Sequence, residues 1–322
     1  MIRHRLIAQA MAASALLAAL GSSDAHAEAP PVFLGSFGVC GNAPGQMQSL
    51  WGIAAGPDGS VFVADEQVQR VTRFKGTTGE VLLTWNVPNA FDVAMAPDGS
   101  VYVLRRSTAR IDHYTDTGIP LASFGSAGSG DGQFNDPFGI SIDPQGQIFV
   151  ADTGNHRIQR LAADGTFLGK WGIQGGQIGE LQFASEVAAD NFGNVFVIDS
   201  RLGRVHRFSE TGALLGWWYL GGPLSTTPMT LNYGLAVDAA GNVYVSEGSS
   251  LIDKYAPGGS FLARFGGYGN DPGAFQFVMT LACGAVGNIY VSDRTLCRVT
   301  HFGEPPVPAL PVTWGRLRAT YR

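Results

Sequence analysis

Residues 137–172 read PFGISIDPQGQIFVADTGNHRIQRLAADGTFLGKWG, and this stretch decides the fold. It contains a short apolar run, Gly139-Ile140-Ser141-Ile142-Asp143, then a Gly-centred turn at Pro144-Gln145-Gly146. A β-branched and aromatic run follows, Ile148-Phe149-Val150, ending at the acid Asp152. Arg157-Ile158-Gln159-Arg160-Leu161 supplies a third strand. A second turn, Ala163-Asp164-Gly165, leads into a fourth, residues 166–172. Alternating β-branched and aromatic residues between turn signals predict strands, and no segment of the repeat carries helical periodicity.

The same phrase recurs along the chain. Its first turn falls at Gly59, Gly99, Gly146, Gly193, Gly241 and Gly287, at spacings of 40, 47, 47, 48 and 46 residues. Repeats of this length with four strands each predict propeller blades. A single unit cannot bury its apolar faces without neighbours, so the repeats must assemble. The expectation is an all-β, six-bladed β-propeller of four-stranded antiparallel blades. The blades lie near 51–85, 91–125, 138–172, 185–219, 233–266 and 279–302. The sixth unit stops after three strands. Residues 32–38, VFLGSFG, match the fourth strand at 166–172, TFLGKWG, so the N-terminal strand is expected to complete blade six and close the ring. Closure removes unpaired edge groups.

Six copies of this pattern resemble the NHL family, whose repeat runs approximately G-I-x-V-D, G-x-I-Y-V-x-D, N-x-R-I. Gly139-Ile140-Ser141-Ile142-Asp143, Gly146, Asp152 and Asn155-His156-Arg157-Ile158 carry the likeness. It extends from Trp51 to Phe302 plus the closing strand. The resemblance implies architecture, whereas function must be read from a site. Two enzyme templates come with it. Amidating-lyase relatives hold zinc through channel histidines. Here His113, His206 and His301 fall in third strands and His156 belongs to the signature, which does not reproduce a zinc funnel. Calcium lactonase-like relatives use several channel carboxylates and asparagines, which Asp92 and Glu186 echo in part.

Residues 1–27 read as an export signal: basic Arg3, His4 and Arg5, an apolar run over residues 6–20, and Ala25-His26-Ala27 as the small-x-small cleavage site. The expected location is secreted, periplasmic or cell-surface, in a bacterial setting. The propeller then spans residues 28–303. Loss of Arg3, Arg5 and Asp24 takes the formal charge from −5 to −6. A mildly acidic chain without a basic stripe is a poor nucleic-acid binder. Export permits disulfides. Cys40 follows the closing strand and Cys297 precedes the third strand of blade six, so these two are expected to bond, leaving Cys283 as a buried thiol. Residues 304–322 form a Pro-rich spacer and a basic tail. Trp314, Leu317 and Tyr321 are spaced for one face of a helix between Arg316, Arg318 and Arg322, which suits a membrane surface or a sorting partner; a frayed tail is the alternative.

Two residue sets point to the face shared by the crossover loops and the second-to-third-strand loops, here called the top. The first is an acid–Arg pair five residues apart: Asp65/Arg70, Asp152/Arg157, Asp199/Arg204 and Asp293/Arg298. Its recurrence marks a scaffold device. The exception is blade two, where Arg105 replaces the acid beside Arg106 and Arg110, a cluster fit for a carboxylate or phosphate. Blade five carries Glu247 without the Arg. The second set opens the inner strands. Blades one, three and five have Gly52, Gly139 and Gly234; blades two, four and six have Asp92, Glu186 and Thr280. Glycine is read as widening the mouth, and the oxygen ligands suit calcium or another hard cation. A water-filled polar channel is the plainer reading. No nucleophile–base–acid order is present. The expectation is a monomeric interaction module that recognises a protein, peptide or small molecule through its top face. The alternative is a metal-dependent hydrolase or lyase with its site in the channel.

Overall fold

The computed structural model describes residues 28–221, 234–247 and 250–304. The leader and the tail after Glu304 lie outside the described residues. Among the described residues six four-stranded antiparallel sheets form the ring, and a two-stranded parallel ladder, Ser126–Ala127 with Gln133–Phe134, lies in the crossover into blade three. Blade three shows the plan: Ile140–Ile142, Ile148–Asp152, Arg157–Leu161 and Phe167–Trp171 pair in sequence order from the axis outward. Blade six is built from Val278–Cys283, Ile289–Asp293 and Arg298–Gly303, and Val32–Phe37 pairs antiparallel with the last of these. The chain's two ends therefore meet in one sheet. The Cys40–Cys297 disulfide ties the seam, with Cα atoms 5.0 Å apart and a sequence separation of 257. Constraining so long a loop in the unfolded chain contributes on the order of 5 kcal/mol in the loop-entropy model. Cys283 is a free thiol.

The alternating strand pattern has two apolar faces, because each sheet is sandwiched between two others. Six apolar clusters result, one per pair of adjacent blades. Between blades one and two, for example, Phe62, Val71 and Val103 are fully buried. The turns between third and fourth strands lock neighbouring blades together. A Cβ on Gly118 would stand 2.8 Å from Trp85, one on Gly212 2.7 Å from Trp171, and one on Gly259 2.7 Å from Trp218. Each glycine thus admits an aromatic side chain from the preceding blade.

The outer edge is guarded by a repeated irregularity. The pairing of third and fourth strands slips once in every blade, and the residue left unpaired is Leu34, Leu82, Leu121, Leu168, Leu215 or Leu262. A bulge bends and twists an edge strand, which spoils it as a template for further strands.

Candidate functional site

The loops at the top explain the recurrent acid and arginine. Asp65 accepts the backbone N–H groups of Gln48, Ser49, Gln67 and Val68. Arg70 donates to the carbonyls of Asn42, Ala43 and Gln46 in the preceding crossover. Asp199 and Arg204 repeat this division, as do Asp293 and Arg298. Only Asp152 and Arg157 also form an ion pair, at 2.7 Å. The expected pairing of acid with Arg is thereby corrected. The two side chains act as a clamp, acid on amides and Arg on carbonyls, holding a crossover loop over the blade. In five blades the residue before this Arg has a left-handed backbone: Gln69, Ala109, His156, Gly203 and Cys297. His156 holds that position and bonds the Gln182 carbonyl at 3.0 Å.

Blade two departs because its crossover is short. Asn86 ends blade one and Asp92 begins blade two, so there is no long loop to clamp. Arg105, standing where the acid would be, donates to the Pro88 carbonyl at 2.8 Å and pairs with Asp112 at 3.0 Å. Arg106 makes a bidentate pair with Asp136, at 2.6 and 3.0 Å. Arg110 donates to the Ser123 hydroxyl. Ser123 in turn donates to Asp112, so Arg105 and Arg110 meet on one hydrogen-bonded Asp112–Ser123 pair, whereas Arg106 turns to Asp136. A surface groove of about 490 Å³ lies beside Arg106, bordered by Ser107, Asp136 and Asn155, and its charges are paired with each other. In blade five Arg264, from the fourth strand, reaches Glu247 and Asp253.

The second residue set does come together. Asp92, Glu186 and Thr280 line one axial cavity of about 160 Å³. The glycines opposite have the reverse of the expected role. A Cβ on Gly52 would lie 2.5 Å from the Asp92 carboxylate, and one on Gly139 would lie 2.1 Å from that of Glu186. Glycine does not widen the mouth. It leaves room for the acid of the next blade.

The acids also answer a problem that the fold creates. The inner strand of each blade has one edge facing the axis with no partner strand, so its N–H groups need acceptors. Asp92 accepts from Val93 and from Ile140 of blade three, both at 2.8 Å. Glu186 accepts from Val187 at 3.0 Å through Oε1. The Ser141 hydroxyl accepts from Ala189 at 3.0 Å. Burial pushes the Asp92 carboxyl up to about 7. Burial, then the Asp92 charge, raises Glu186 well above the usual carboxylate range.

Sequence reasoning missed what lies above these acids. Trp51, Phe91, Phe138 and Met279 stand over them and enclose a void of only about 10 Å³. Trp51 stacks on Phe91 with centroids 4.6 Å apart, and Phe138 meets Phe91 edge-on at 5.2 Å. Arg106 caps Phe138 at 3.9 Å and Arg294 caps Trp51 at 4.9 Å. Among the described residues this cluster fills the top of the axis. The signal was present in the repeat: Trp51, Phe91 and Phe138 occupy the same column, one residue before the inner-strand position held by Gly or acid. At the opposite face, here the bottom, the cavity continues past Met95, Ile142 and Ala189 into a mouth of about 420 Å³. Asp143, Asp190 and Asp238 border it.

For calcium the side-chain donor set is too small. Two carboxylates and one hydroxyl fall short of six to eight oxygens, and both Asp92 oxygens already accept backbone N–H groups. Among the described residues no three His, Cys, Asp or Glu side chains gather for a metal. His206, buried in the third strand of blade four, is pushed down to about 4 by burial and stays neutral.

A family model described as NHL repeat matches residues 134–161, within blade three and its crossover. The chain is a six-bladed β-propeller, and one of its blades matches the NHL repeat. No curated protein matches it significantly. Among solved structures, a streptogramin B lyase is 14% identical, with a TM-score of 0.60 over 84% of this chain and 96% of that one. Virginiamycin B lyase from Staphylococcus aureus is 13% identical, with a TM-score of 0.58 over 84% and 99%. A Bacteroides thetaiotaomicron protein of unknown function is 16% identical, with a TM-score of 0.64 over 84% and 75%. At these identities the likeness is one of fold.

Proposed function

We propose that this propeller is an exported interaction module that admits its ligand from the bottom mouth into the central channel. The observation that carries the reading is the asymmetry of the axis. Aromatic side chains occupy its upper end, while the lower end opens past Met95, Ile142 and Ala189 to two buried carboxylates. Pre-formed concave sites with few convergent polar groups are the usual binding sites. The sequence points to the top face, but Arg105, Arg106 and Arg110 are engaged by Asp112, Asp136 and Ser123, which favours the bottom. Export rests on the leader sequence and is compatible with the disulfide. No helix among the described residues is long and apolar enough to cross a membrane. The hydrolase or lyase alternative gains no residue set beyond the same two acids.

The test is a screen of chemically diverse fragments against the full mature chain, followed by backbone amide shifts. Hits are expected to move the amides of Ala94, Ser141 and Ala188 in the channel. Hits confined to the amides of Ser107, Asn155 and Thr295 at the top would overturn the reading.

A further inference from the structure

We propose that the chain's own basic C-terminal tail, residues 314–322, seats on the bottom mouth and covers it until a ligand displaces it. This rests on the bottom mouth being the entrance. The place where the chain leaves the ring, the surface of the mouth and the charge on each side support it.

The tail starts beside the mouth. Glu304, the last described residue, follows the third strand of blade six and lies against that blade's bottom turn, where a Cβ on Gly287 would stand 2.6 Å from the Glu304 Cγ. Gly284 and Ala285 of the same turn line the mouth. Residues 305–313 include four prolines. At the ~3.1 Å per residue of a Pro-rich linker they reach about 28 Å, several times the ~9 Å width of a sphere with the mouth's volume of about 420 Å³. Trp314 therefore reaches any part of the mouth.

The surface there is apolar. Pro57, Pro97, Pro144 and Ala239 are among its lining residues. Phe192 follows Asn191 at this rim and is 65% exposed. The same turn position holds Asp58, Asp98, Gln145 and Ala240 in four other blades, so the exposed aromatic is particular to blade four. The tail offers a matching set: Trp314, Leu317 and Tyr321 are spaced for one side of a helix. Aromatic and aliphatic anchors in a concave apolar site carry most of the energy of such contacts.

Charge decides where on the rim the tail sits. Acids line the mouth in three consecutive blades, as Asp143, Asp190 and Asp238, whereas blades six, one and two have Gly284, Gly56 and Ala96 at that position. The three carboxylates accept N–H groups of their own turns. Among the described residues none of them forms an ion pair, and no Lys or Arg lines the mouth. After Glu304 the chain carries Arg316, Arg318 and Arg322 and no acidic side chain. A rim of one sign attracts a segment of the other, and the tether holds that segment at about millimolar effective concentration.

A nitroxide on Thr320→Cys, in the full mature chain with Cys283→Ser, reports where the tail lies. The amides of Ala96, Gln145, Asn191 and Ala240 are expected to broaden at low salt, while those of Ser107 and Thr295 at the top stay sharp. Broadening should fade at about 0.5 M salt, where exposed charges are screened, and in Arg316→Glu/Arg318→Glu/Arg322→Glu, which leaves the ring untouched. Phe192→Ala should weaken it from the other side. A tail that binds with a Kd of about 0.1 mM covers the mouth roughly nine times in ten, so fragments that enter the channel should bind the charge-reversed chain about tenfold more tightly than the parent. Broadening at the top or along the outer edges, or none at all, overturns the inference. A label that leaves the ring amides sharp and is immobilised on anionic vesicles overturns it in favour of a membrane surface. If the tail is absent from the mouth while fragments still shift Ala94, Ser141 and Ala188, the cover falls and the bottom entrance stands. Broadening at the mouth with fragment hits confined to the top would uphold the docking and remove the entrance.

Discussion

Asp92 and Glu186 were picked from the sequence because they break a column that is glycine in the alternate blades. That departure was legible; its meaning was not. The glycines read as an opening, yet Gly52 and Gly139 are the space into which the two acids fold. Only the ring places one blade's acid against the preceding blade's glycine, and no single repeat contains that contact. The consequence for Asp92 is a pH dependence of known sign. Its folded pKa lies near 7 against an ordinary value of 3.8, so its contribution is fully present below about pH 4 and is lost as pH rises towards 7. Three units correspond to about 4 kcal/mol. His206, held near 4, works in the opposite sense between about pH 4 and 6.5. The comparison must therefore be between variant and parent. Asp92→Asn should become progressively more stable relative to the parent as pH is raised from 4.5 to 7.5 in urea unfolding. Parallel profiles would remove Asp92 from the account.

At the scale of the element, the crossover clamp shows what repeat spacing can and cannot reveal. The shorter interval between Gly59 and Gly99 was visible in the sequence, as was Arg105 in place of an acid. They are one fact. Without a long loop there are no amides for an acid to collect, and Arg105 turns to the Pro88 carbonyl. The acid–Arg spacing looked like an ion pair because the two residues face each other across the strand pair, Asp199 opposite Arg204 for instance. The loop they hold precedes them by some two dozen residues, beyond what local spacing conveys. Arg204 is 4% exposed and donates to the carbonyls of Gly176, Gln177 and Glu180. Replacing it with Met strips buried carbonyls of their donors and should destabilise the protein by about 2–4 kcal/mol. Exposed Arg110, whose side chain bonds only Ser123 among the described residues, should change stability by no more than about 0.5 kcal/mol on replacement by Ala. Equal losses in thermal or urea unfolding would contradict the clamp.

The whole molecule was the most legible scale. Six like phrases, a truncated last one and a matching N-terminal strand lead directly to the closed ring, and the Cys40–Cys297 seam follows from where the chain ends meet. The polarity of the ring was not legible. Which end of the axis is open depends on how Trp51, Phe91, Phe138 and Met279 meet over it, a packing outcome among four blades. The central claim is that ligands enter from the bottom, and blocking each mouth in turn tests it most directly. In a Cys283→Ser background, Asn191→Cys places a thiol at the bottom mouth and Thr295→Cys places one on the top loops, and each is capped with a bulky maleimide. The account predicts that capping at residue 191 abolishes binding of the channel fragments and capping at residue 295 leaves it intact. Loss of binding on capping residue 295, with binding preserved at residue 191, would contradict it.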